Sequence, residues 1–100
     1  MIGRELKITL NADISYKPLP KRLMLYAIEP YHIVLTVTPS DELRRICWFR
    51  GAVRAELRGG VYEIEVPDKV SEICPVGRSG FTALSSEEDP GRIDIYFDEG

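Results

Sequence analysis

Apolar and polar side chains alternate with a period of two over much of this chain, the pattern of strands that bury one face. Leu6, Ile8 and Leu10 alternate with Lys7, Thr9 and Asn11, and Ile14 and Tyr16 extend the ribbon beyond a bend. Proline lacks the N–H that a ladder needs, so Pro18-Leu19-Pro20 interrupts pairing. Residues 23–28 are apolar on both faces, which predicts a central strand. Pro30 ends it by pushing Glu29 away from helical backbone. Residues 32–38 are rich in β-branched side chains and predict a third strand, antiparallel to the second.

Pro39-Ser40-Asp41 carries turn chemistry, and the segment from there to Gly59-Gly60 is ambiguous. Ile46, Phe49, Val53 and Leu57 have helical spacing, so residues 41–58 fit one amphipathic helix with Ser40 as its N-cap. The alternative is a short strand over residues 45–49 followed by a helix over residues 51–58. The adjacent poor helix formers Cys47, Trp48 and Phe49 favour the alternative. In both readings Gly59-Gly60 stops the helix.

The remaining chain is strand-like again. Tyr62, Ile64 and Val66 alternate with Glu63 and Glu65; residues 70–74 form a weak strand, residues 81–84 a short one, and Ile93, Ile95 and Phe97 a last one. Residues 77–80 make a turn and residues 85–91 a polar hairpin loop. The expected fold is a single α+β, β-rich domain over residues 1–100: antiparallel sheets of seven or eight strands with one helix.

Composition narrows the class more than the function. The chain is 44% hydrophobic and 29% charged, as expected of one small globular domain. No apolar run approaches the ~18 residues of a membrane span, and residues 1–7 lack a secretory apolar core, so the chain is read as cytoplasmic. Cys47 and Cys74 are too far apart for a Cys-x-x-Cys motif and are expected as free thiols. The net charge of −3 hides an asymmetry: residues 1–58 carry 10 basic and 6 acidic side chains, residues 59–100 carry 3 and 10.

Catalytic chemistry needs converging titratable groups, and the sequence offers few. His32 is the only histidine and sits at a strand start, where packing or hydrogen bonding is the ordinary role. Neither cysteine has a sequence neighbour that marks it as an activated nucleophile. Glu63 and Glu65 share a strand face that reads as solvated, and Gly77-Arg78-Ser79-Gly80 lacks the lysine and helix of a phosphate-binding loop. Glu87-Glu88-Asp89 lacks the alternating ligands of a calcium loop. No catalytic residue, metal site or cofactor is therefore expected, and the chain is read as a non-enzyme. The partner-binding candidates are Arg50, Arg54 and Arg58, which a helix over this segment stacks along one face. The alternative is a solvated helix face. Trp48 beside them is expected in the core with Ile46 and Phe49.

The order of these features resembles the SsgA-like family of sporulation and cell division proteins. The similarity begins at Arg4-Glu5-Leu6 and is sharpest over Leu25-Tyr26, Glu29-Pro30-Tyr31, Ile33 and Leu35-Thr36. It continues through Trp48, Phe49, Arg50 or Arg54, Leu57 and Gly59, then Pro75, Arg78-Ser79, residues 83–86 and Gly91. Relative to the family pattern, residues 61–75 are longer, residues 76–84 shorter, and the sequence ends at Gly100 without the family's C-terminal helix. The resemblance implies a Whirly-like fold, a trimeric assembly and no catalysis. It also implies protein–protein recognition at the sporulation septum, with the tubulin-like division GTPase FtsZ among the partners.

Two other classes compete. A small nucleic-acid-binding module would use the same arginines, against an acidic pI of 5.1. A regulatory oligomer would use the sheet edges, which only Pro18, Pro20 and Pro67 protect. Homo-oligomerisation is expected whichever class holds, with acidic and basic regions able to face one another across subunits. A hydrolase would need His32 in a pocket with a carboxylate and a nucleophile.

Overall fold

A computed structural model describes residues 6–99. The readings placed on residues 1–5, including the Arg4-Glu5 start of the family resemblance, and the ending at Gly100 lie outside the described residues. The strands are β1 (Leu6–Asn11), β2 (Arg22–Glu29), β3 (His32–Thr36), β4 (Phe49–Arg58), β5 (Val61–Val66), β6 (Phe81–Ser86) and β7 (Asp89–Phe97). They form a seven-stranded sheet in the order β1-β5-β4-β2-β3-β7-β6, antiparallel at every step, which curls into a nearly closed barrel. Two short helices, α1 (Asp41–Ile46) and α2 (Asp68–Ile73), and a 3-10 turn at Ala12–Ile14 complete the described elements.

The period-two pattern decides which side chains point inward. Leu23, Leu25 and Ala27 of β2, Ile33 and Leu35 of β3, and Ile93, Ile95 and Phe97 of β7 meet Ile8, Leu10, Tyr62, Ile64 and Val66 in one core. Both barrel ends are filled. At the end where β2 finishes, Val70, Cys74 and Val76 join the core, with the Cys74 thiol 3.9 Å from the Glu29 carbonyl oxygen. At the other end the Ser85 hydroxyl donates to the Ile14 carbonyl at 2.5 Å, and the Leu19 N–H donates to the Tyr62 hydroxyl at 2.9 Å.

The apolar outer face of β2 also finds cover. Tyr26 and Val34 pack beneath Leu43 of α1, with Met24, Ile28 and Cys47 around them. Ser40 caps that helix by accepting the Leu43 N–H at 3.1 Å, and its own N–H reaches the Tyr26 hydroxyl at 3.1 Å. This explains why residues 23–28 are apolar on both sides and central.

The structure overturns the expected arrangement of residues 41–58. The helix comes first, at Asp41–Ile46, and the strand follows, at Phe49–Arg58. Pairing with β2 decides this: residues 49–54 of β4 run antiparallel to residues 22–27, an interaction invisible to local propensity. Consequently Gly59 and Gly60 do not end a helix. Their φ values of +56° and +80° make the two-residue hairpin turn between β4 and β5, a conformation that costs glycine little. The weak strand expected at residues 70–74 is instead part of helix α2 and its C-cap, so the described residues hold two short α-helices rather than one.

β4 belongs to two ladders. Its first half pairs with β2, up to Arg54 opposite Arg22, and its second half with β5, from Ala55 opposite Ile64 to Arg58 opposite Val61.

Candidate functional site

The expected arginine face exists in altered form. Arg50, Arg54 and Arg58 lie on β4, not on a helix. Residues four apart share a face in either geometry, but a strand spaces them about 13 Å apart where a helix gives about 6 Å. The three guanidinia therefore do not stack as a helical stripe. Arg58 leaves the group altogether: its Nη2 lies 3.0 Å from Glu56 Oε2 and its Nε 3.8 Å from Glu63 Oε1.

In its place the sheet supplies an arginine that sequence reasoning missed. Arg22 lies directly opposite Arg54 across the β2–β4 ladder. Like charges in that position repel. Among the described residues no carboxylate lies within 4 Å of Arg22, Arg50 or Arg54. The only signal for Arg22 in the sequence was its place at the start of the apolar run 23–28, which does not reveal its cross-strand neighbour. Arg22 and Arg54 line a groove of about 560 Å3 together with Glu65 and Asp68.

Beyond Arg50 the face becomes partly apolar. Trp48 and Ile46 were expected in the core, yet they are 37% and 56% exposed. The reason is the short helix: only Leu43 of α1 is buried, so its last turn and the link to β4 turn outward. Trp48 shares a second groove, of about 320 Å3, with Arg44, Cys47, Phe49 and Arg50. Arg44 and Arg45 stand in the last turn of α1, where cations complement the helix dipole.

His32 lies elsewhere, on the outer face of β3. Its ring stacks on Tyr96 at 4.2 Å, and Nε2 is 3.0 Å from Asp94 Oδ2. Arg92 donates to both Asp94 oxygens, at 2.8 and 3.1 Å. Burial opposes ionisation of Asp94, but the hydrogen bonds from Arg92 and His32 outweigh it and hold the carboxyl below its ordinary range. No Ser, Thr or Cys hydrogen-bonds to His32 among the described residues, so the group reads as a structural ion pair. A carboxyl with a lowered folded-state pKa stabilises the fold above its unfolded value of about 3.9, and that contribution fades as pH falls through the folded value. Asp94→Asn is therefore expected to cost about 1–3 kcal/mol at pH 7, with the difference between the two proteins shrinking as the pH is lowered to ~3. Urea titrations at both pH values measure this; an equal difference at both would refute it.

The remaining candidates are structural. Cys74 is buried, and burial, opposed only by the Arg78 charge, pushes its thiol up to about 11, where it is not a thiolate at neutral pH. Arg78 itself donates to the Cys74 and Ser71 carbonyls at the end of α2. Glu63 faces outward and sits 3.8 Å from Lys7 as well as Arg58. Among the described residues no three His, Cys, Asp or Glu side chains gather as a metal site, and no helix is long and apolar enough to cross a membrane.

Comparison of the chain with protein-family models, with curated proteins and with solved structures finds no match.

Proposed function

We propose that this domain acts by protein–protein recognition rather than catalysis, as a division factor of the SsgA-like kind at the sporulation septum. The observation that carries the recognition reading is the outer face of β2 and β4. Arg22 and Arg54 oppose one another, Arg50 follows, no carboxylate lies within 4 Å of them among the described residues, and exposed Trp48 shares a groove with Arg50. Arginine and tryptophan are the side chains that most often dominate binding energy at protein interfaces. The septal role rests on the order of motifs, above all Tyr26 and Glu29-Pro30-Tyr31. The same resemblance supports a Whirly-like arrangement, a trimeric assembly and a partner such as FtsZ.

A nucleic-acid partner fits less well, because the chain carries a net charge of −3 and an acidic pI of 5.1, opposite to the usual basic footprint. Simultaneous reversal of Arg22, Arg50 and Arg54 to glutamate is expected to weaken capture of purified FtsZ at least tenfold. Arg58→Glu, whose charge is already matched by two glutamates, is expected to leave it within twofold. Unchanged capture by the triple variant removes this face from the function. Failure of the parent domain to capture FtsZ overturns the septal assignment.

A further inference from the structure

Among the described residues, the first half of β4 is a strand edge without a strand neighbour. Residues 49–54 pair with β2 on one side, while the register with β5 stops at Ala55, opposite Ile64. Ladder bonds in an antiparallel pair alternate every second residue. The Ala55 N–H bonds to the Lys21 carbonyl, so Val53 and Gly51 also direct their backbone groups towards β2. Those of Ala52 and Arg50 therefore point away from it. The 560 Å3 groove lies along residues 52–54, and the 320 Å3 groove adjoins Phe49 and Arg50. Unpaired backbone groups, space beside them and unmatched guanidinia thus coincide on one short segment.

We propose that this edge receives an extended acidic segment of a partner protein, which adds to β4 as an antiparallel strand. Strand addition draws its affinity from main-chain hydrogen bonds and its specificity from alternate side chains. Here the Arg50 and Ala52 backbone groups supply the ladder. The segment's outward side chains, at every second position, lie beside Arg50 and Arg54, so carboxylates at those positions form charge-assisted pairs with the guanidinia. A second copy of this edge is a poor occupant, because pairing it with itself sets one arginine face against another. A nucleic acid has no backbone ladder to offer.

This inference rests on the recognition reading and adds the form and chemistry of the occupant. The probe is a synthetic decapeptide, Thr-Glu-Val-Glu-Val-Glu-Val-Glu-Val-Thr, titrated against the whole chain. Trp48, the sole tryptophan, borders the second groove and reports binding by fluorescence. Saturable binding is expected, with amide exchange at Arg50 and Ala52 slowed at least tenfold. Residues bonded across an antiparallel ladder carry side chains on the same face, so the glutamate amides are those that meet β4. N-methylating them is expected to weaken binding at least tenfold, whereas N-methylating the valine amides leaves it within threefold. An Arg50→Glu/Arg54→Glu variant, checked for an unchanged circular dichroism spectrum, is expected to lose binding. Unchanged exchange at Arg50 and Ala52 on saturation, or tolerance of methylated glutamate amides, overturns strand addition. Absence of any peptide binding overturns the acidic occupant, and loss of FtsZ capture in the triple variant would still uphold the recognition face.

Discussion

Val70→Asp is expected to unfold the domain in water at room temperature. Val70 is fully buried on α2, where it plugs the barrel with Cys74 and Val76. A carboxylate there meets an apolar core, and an unpaired buried charge costs several kcal/mol even after relaxation. That is comparable with the 5–15 kcal/mol that stabilises a typical domain. Circular dichroism against urea measures the loss, and Lys69→Asp, one residue away and exposed, serves as the control with an expected effect within about 0.5 kcal/mol. A Val70→Asp protein that unfolds cooperatively at the parent's urea midpoint would show that α2 is not part of the core.

The second large effect belongs to the sheet itself. Leu25→Ala is expected to cost about 2–5 kcal/mol, because β2 is the central strand and Leu25 has no exposed surface into which neighbours can relax. For a domain of this size that lowers the melting temperature by roughly 4–8 °C per kcal/mol. Leu57→Ala removes the same atoms from a side chain that is 57% exposed and is expected to change stability by less than about 0.5 kcal/mol. The contrast tests the two environments directly, since the leucines differ in burial and not in chemistry.

Where one face of a strand is buried and the other wet, the architecture is legible in the chain. Leu6, Ile8 and Leu10, then Tyr62, Ile64 and Val66, then Ile93, Ile95 and Phe97 alternate in sequence as they do in the barrel. Antiparallel pairing of β2 with β3 and the central place of β2 follow from the apolar run and the Glu29-Pro30-Tyr31 turn. The errors share one physical origin. A spacing of four is a whole number of strand periods and nearly one helical turn, so Val70 and Cys74, or Arg50 and Arg54, fit either structure. Only the partner decides: α2 has a barrel end to fill, and β4 has a strand on each side for part of its length.

The binding face was half legible for the same reason. Arg50 and Arg54 keep a common face through the change from helix to strand. Their neighbour Arg22, the charge match of Arg58 and the exposure of Trp48 all depend on contacts between distant segments. Charge counts along the chain show a basic half and an acidic half but do not say that Glu56 and Glu63 neutralise one arginine and leave others unmatched.

The pairing of β1 with β5 has a consequence during synthesis. Leu6 lies opposite Val66 and Asn11 opposite Val61, with β2, β3, α1 and β4 all between them in the chain. At about 5–20 residues per second, the ribosome delivers the partner of β1 several seconds after β1 itself has emerged. Throughout that interval β1 lacks its only ladder partner among the described residues, while β2 and β3 already have each other. The nascent chain thus carries an unpaired apolar strand for most of the time the domain takes to emerge.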